Sequence, residues 1–107
     1  MKIIKKHINK IISLCEKYHV AELYVFGSVV SGNFTKESDI DFTVRFSGVE
    51  PLDYFDNYME LKGKLEDLFA RKVDLLEIQT IKNPVLKKSV DRDKIKVYGR
   101  EDSKVAV

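Results

Sequence analysis

Gly27 and Ser28 are followed, after a short polar stretch, by Ser38-Asp39-Ile40-Asp41-Phe42, and a further acid stands inside Val73-Asp74-Leu75-Leu76. Side chains alternate between the faces of a strand, so Asp39 and Asp41 are expected to point the same way, with Cα atoms about 7 Å apart, while Ile40 and Phe42 enter a core. Two acids held that close repel and raise one another's pKa unless a cation neutralises them. An oxygen-only donor set suits Mg²⁺, which keeps several waters, takes one or two carboxylates and fills its remaining positions with phosphate oxygens. A strand that stops at Gly-Ser and passes into a helical turn offers free backbone N–H groups and a hydroxyl to an anion. The ligand that joins these halves is a nucleoside triphosphate. With the Asp74 strand beside the Asp39 strand, three acids could hold two Mg²⁺ ions around an in-line phosphoryl displacement, which is the chemistry of nucleotidyl transfer.

Each signal has a blander reading. Gly-Ser is a common turn pair, and an acid at the rim of a strand usually faces water or caps a helix. Asp-x-Asp also holds metal in several glycosyltransferases, although a sugar-acceptor domain does not fit in this length. What favours metal here is the setting, because Asp41 lies between Ile40 and Phe42, where an unpaired charge is costly.

The elements that must position these residues can be read from periodicity. Ile4, Ile8, Ile11, Ile12, Cys15 and Tyr18 form one stripe of an amphipathic helix from Lys2 to about His19. Glu22-Leu23-Tyr24-Val25-Phe26 reads as a buried strand stopped by Gly27, and residues 29–36 as a short helical turn or loop. A second strand runs from Asp39 to Phe46. A helix with a wide apolar face (Tyr54, Phe55, Tyr58, Met59, Leu61, Leu65, Leu68, Phe69) starts at Pro51 and ends near Ala70. Tyr54, Phe55, Tyr58 and Met59 are expected in the core, and any part of that patch left exposed could dock a partner helix. Lys72 to Leu76 gives a third strand, Pro84 to about Val90 a short helix, and Ile95 to Tyr98 an edge strand. The fold class implied is α+β in two layers, a mixed sheet of about four strands packed on helices. Residues 1–100 form one domain and 101–107 a frayed tail.

At 107 residues the chain accommodates one core and no second substrate domain, so an acceptor-binding element must come from elsewhere. A net charge of +2 with 34% charged residues and no single-sign block gives no ground for a nucleic acid ligand. The N-terminal apolar residues are interrupted by Lys5, Lys6 and His7, which excludes a leader or membrane span there and suggests the cytoplasm. The single Cys15 excludes an internal disulfide and falls at a core position. His7 and His19 have no acid or serine in a triad-like arrangement and read as helix-end or surface residues.

Taken in order, Gly27-Ser28, Ser38-Asp39-Ile40-Asp41-Phe42 and Val73-Asp74-Leu75 resemble the minimal nucleotidyltransferases of the DNA polymerase β superfamily, over nearly the whole chain. The resemblance implies a polymerase-β-like fold, ATP as substrate and two Mg²⁺ ions. It implies that Asp39, Asp41 and Asp74 are the catalytic and metal-holding acids, and that Gly27 and Ser28 meet the triphosphate. Ser38 and Lys36 join them as nucleotide-binding residues, Lys36 as the loop's cation. Family members commonly carry an arginine just before the glycine that is Gly32, where this chain has Ser31. Many such proteins are similar to antitoxins of helical HEPN-domain ribonucleases, which implies AMP transfer from ATP to a hydroxyl of a HEPN-type toxin. The alternative is a binding module that neutralises its partner by complex formation alone.

Overall fold

The apolar alternation of residues 20–26 and 40–46 is realised as the two central strands of a four-stranded sheet. The computed structural model describes residues 2–99. Its strands are β1 (Val20–Phe26), β2 (Ile40–Phe46), β3 (Val73–Glu77) and β4 (Ile95–Gly99), arranged in the order β3-β2-β1-β4. β2 and β3 run parallel and the other neighbours antiparallel, so the sheet is mixed. The helices are α1 (Lys2–Lys6), α2 (Ile8–Lys17), α3 (Ser28–Ser31), α4 (Pro51–Phe69) and α5 (Pro84–Asp93), with a 3₁₀ turn at Ile78–Thr80.

One face of the sheet supplies Leu23, Val25, Ile40, Phe42, Val44, Val73 and Leu75 to the core. Ile11 and Cys15 of α2 and Leu61, Leu65 and Phe69 of α4 complete it. A large apolar side chain buried in this way stabilises the fold by about 1.5–3 kcal/mol before entropy is counted. Burial pushes the Cys15 thiol up to about 12, with a smaller contribution from the neighbouring Glu16 charge, which fits its packing role. The class is the α+β arrangement of helices on a mixed sheet that the sequence implied.

The turn from α4 into β3 is tightly tied. Pro51 occupies the first turn of α4, where its missing N–H is harmless. At the other end Ala70 adopts the left-handed conformation with φ 53° and its N–H reaches the Glu66 carbonyl. The Glu66 carboxylate then accepts from the Val73 N–H at 3.1 Å, and the Tyr58 hydroxyl donates to the Leu75 carbonyl. These contacts fix where β3 begins.

Several boundaries differ from the sequence expectation. The first helix is broken at His7, whose N–H bonds to the Ile4 carbonyl at 3.1 Å and whose ring meets Phe69 edge-on at 5.3 Å. β2 begins at Ile40, so Asp39 leads into the strand and is not part of it; β1 is longer than expected, and α5 continues to Asp93. Phe55 and Met59 are not core: they are 69% and 44% exposed, alongside Leu52 at 96%. The apolar face of α4 is wider than the sheet beneath it, and only part of it turns inward, with Tyr54 packing on the Phe46 ring at 5.5 Å. The tail expected at 101–107 lies outside the described residues. Among the described residues no helix is long and apolar enough to cross a membrane.

Candidate active site

The strand that carries Asp74 lies directly beside the strand that carries Asp41. Asp41 of β2 is the register partner of Asp74 of β3 on one side and of Phe26 of β1 on the other. Adjacent strands are about 4.8 Å apart, and both acids alternate with core residues (Ile40 and Phe42, Val73 and Leu75), so both project from the face opposite the core. The parallel pairing of β2 with β3 thus sets two carboxyls side by side at the starts of both strands.

Their proximity appears in the titration of Asp41. The Asp41 carboxyl is pushed up to about 6, first by burial, then by a hydrogen bond to Asp74, then by the charges of Asp74 and Asp39. Two carboxyls that hydrogen-bond to one another share a proton, and a hard cation can take that proton's place. The donor chemistry therefore fits Mg²⁺, and Asp41 and Asp74 are the residues that could hold it. Asp39 acts on Asp41 through its charge; among the described residues no three His, Cys, Asp or Glu side chains are gathered into a group that could hold a metal ion as they stand.

Gly27 is built against this pair. It follows Phe26, the partner of Asp41, and has φ 78° and ψ −146°, a region that only glycine enters without strain. A Cβ placed there would lie 2.3 Å from Asp41 Oδ2. The absence of a side chain is therefore required twice, by the backbone and by the carboxylate. Gly27 also caps the four-residue α3, which Ser28 opens; the Val30 and Ser31 N–H groups both bond to the Gly27 carbonyl at 3.0 Å. The Ser28 hydroxyl has no hydrogen-bond partner among the described residues. α3 carries no basic residue.

Between α3 and β2 the chain makes a tight polar turn. Ser38 Oγ accepts from the Thr35 N–H at 2.9 Å and lies 3.1 Å from Thr35 Oγ1, so its hydroxyl is used to shape the turn. Lys36 is exposed at the tip of that turn. Sequence reasoning missed Arg71. This residue, between α4 and β3, donates through Nη1 to the Thr35 carbonyl at 3.1 Å and the Ser38 carbonyl at 2.9 Å. Its guanidinium lies over the Phe34 ring, 4.5 Å from the centroid. Carbonyl acceptors leave no trace in a sequence, and an arginine beside Lys72 reads as ordinary surface charge.

A family profile described as Polymerase beta, Nucleotidyltransferase matches residues 9–103. The chain belongs to this nucleotidyltransferase family. A Methanocaldococcus jannaschii relative, named provisionally as protein adenylyltransferase MJ1379, is 41% identical over 95 residues, covering 89% of this chain and 91% of its own. The protein adenylyltransferase MntA of Thermococcus cleftensis is 36% identical over 74 residues, 69% of this chain and 72% of its own. A chain from the crystal structure of a toxin–antitoxin with AMP-PNP superposes with a TM-score of 0.68 at 26% identity, covering 92% of this chain and 78% of that one. The polymerase-β-like fold expected from the sequence is the fold observed.

Proposed function

We propose that this nucleotidyltransferase moves AMP from ATP to a hydroxyl of a protein partner, a HEPN-type toxin, with Mg²⁺ held by Asp41 and Asp74 and completed by Asp39. The observation that carries the reading is the in-register pair of Asp41 and Asp74 with Gly27 packed against Asp41. Support for the nucleotide comes from the AMP-PNP in the toxin–antitoxin neighbour. Support for a protein acceptor comes from the adenylyltransferase names of the relatives.

In this reading a hydroxyl oxygen of the partner attacks the α-phosphorus, the new O–P bond forms as the bond to pyrophosphate breaks, and a carboxylate of the acidic group takes the hydroxyl proton. Gly27 lets the backbone pass close to Asp41, and the Ser28 hydroxyl and the N–H groups at the start of α3 donate to phosphate oxygens. Bound Mg²⁺ supplies charge neutralisation for the triphosphate and the leaving pyrophosphate. Lys36, exposed on the Thr35–Ser38 turn, is the cation assigned to the phosphates, and Ser38 shapes the turn that leads to Asp39.

The test is incubation with the helical partner, Mg²⁺ and ATP labelled at either the α- or the γ-phosphate. Label from the α position alone should appear on the partner and disappear in Asp41→Asn. If neither ATP labels the partner while the two proteins still form a complex, AMP transfer is refuted. The lack of any basic residue in α3 favours a second reading, neutralisation by binding alone. That reading predicts that Asp41→Asn silences the toxin as well as the wild type does.

A further inference from the structure

Asp39 has no ladder partner, since β2 starts one residue later, yet it is held from both sides by one stretch of chain. On its C-terminal side the Ile40 N–H bonds to the Lys72 carbonyl at 3.2 Å. On its N-terminal side the Arg71 Nη1 bonds at 2.9 Å to the Ser38 carbonyl, which belongs to the same planar peptide unit as the Asp39 nitrogen. A further bond at 3.1 Å to the Thr35 carbonyl and stacking on Phe34 fix the guanidinium itself. Two residues beyond Lys72 the same stretch delivers Asp74. Arg71 and Lys72 are thus a bracket that sets the distance between the lead-in carrying Asp39 and the strand carrying Asp74.

The chemistry of Arg71 suits a bracket better than a surface charge. Among the described residues it makes no ion pair, and its Nε is buried without a hydrogen-bond partner. Desolvating a guanidinium against neutral carbonyls is unfavourable compared with leaving a lysine in water. Lysine could not reproduce the arrangement, because only the planar guanidinium both stacks on Phe34 and directs its donors in fixed directions.

We infer that Arg71 is a positioning residue for Asp39, holding the Thr35–Ser38 turn so that the Asp39 carboxylate completes the cation site begun by Asp41 and Asp74. This rests on the proposed reading of those acids as a metal site. Residues that orient metal ligands from behind contribute about 10- to 100-fold to metal affinity, so Arg71→Lys and Arg71→Gln should each weaken divalent cation binding by about tenfold.

The experiment is a Mn²⁺ titration followed by electron paramagnetic resonance on the full chain, together with amide hydrogen exchange of residues 35–40. Wild type, Arg71→Lys, Arg71→Gln and Asp41→Asn are compared. The expected result is weaker Mn²⁺ binding and faster exchange in both Arg71 variants, with an unchanged melting temperature in Arg71→Lys. Should Arg71→Gln fail to fold, Arg71→Lys decides alone. Wild-type Mn²⁺ affinity in the Arg71 variants, with binding lost in Asp41→Asn, would overturn the role of Arg71 and leave the metal site standing. A wild-type chain that binds no Mn²⁺ overturns both.

Discussion

Replacing Asp41 by asparagine removes the acid most disturbed by its surroundings while keeping its shape. The folded carboxyl titrates near 6 against an ordinary 3.8, because it is partly buried and faces Asp74 and Asp39. Each pH unit between folded and unfolded values is worth about 1.4 kcal/mol, so the ceiling is about 3 kcal/mol. Asp41 keeps part of its surface in water, which screens the repulsion, and about 1–2 kcal/mol is the expected effect. The direction follows from proton linkage. A carboxyl whose folded pKa is raised contributes stability that is fully present below 3.8 and is lost as pH rises through about 6. Comparing Asp41→Asn with wild type by urea unfolding, without divalent cations, cancels the titration of other groups. The variant should be more stable by about 1–2 kcal/mol at about pH 7.5, and the advantage should shrink towards zero near pH 4. Millimolar Mg²⁺ should close the gap at neutral pH by stabilising the wild type alone. A difference that stays constant from about pH 4 to 7.5, or a variant that is weaker at neutral pH, would refute the picture of a strained acid pair.

Three further outcomes can be checked on the same material. Gly27→Ala should cost about 2–4 kcal/mol in chemical denaturation, combining backbone strain with crowding against Asp41. In an Asp41→Ala background only the strain should remain, so additive effects in this double-mutant cycle would count against the contact. Thr43→Val should stabilise by about 1 kcal/mol in a thermal melt, because the Thr43 hydroxyl is fully buried and has no partner among the described residues. The Cys15 thiol, pushed up to about 12, should remain unreactive towards a disulfide reagent near pH 8 until the chain is unfolded, and prompt reaction of the folded protein would contradict its burial.

The parts of the site that the sequence exposed are those governed by short-range rules. Alternation along β2 and β3 put Asp41 and Asp74 on the face opposite Ile40, Phe42, Val73 and Leu75 without knowledge of the fold. The pairing that joins them is a long-range fact, open to the sequence only as a condition and supplied by the register of β2 with β3. Asp39 shows the limit of alternation, since a residue just outside the ladder is directed by whatever holds its loop. Here that is Arg71, whose acceptors are carbonyls of Thr35 and Ser38 and carry no residue-type signature. The break at His7 was hidden because the apolar stripe runs on through it, and the outward turn of Phe55 and Met59 was hidden because a helix stripe does not reveal how much of it a sheet will cover.

The contact between Gly27 and Asp41 also has a consequence for how such a chain can change over generations. The space that any larger residue at position 27 needs is filled by the Asp41 carboxylate, so an alteration of the turn is tolerated more readily after the acid has gone. A descendant that kept the fold and gave up chemistry would be expected to lose Asp41 first and the glycine later. The glycine, constrained by its positive φ as well as by the acid, is the later of the two to drift.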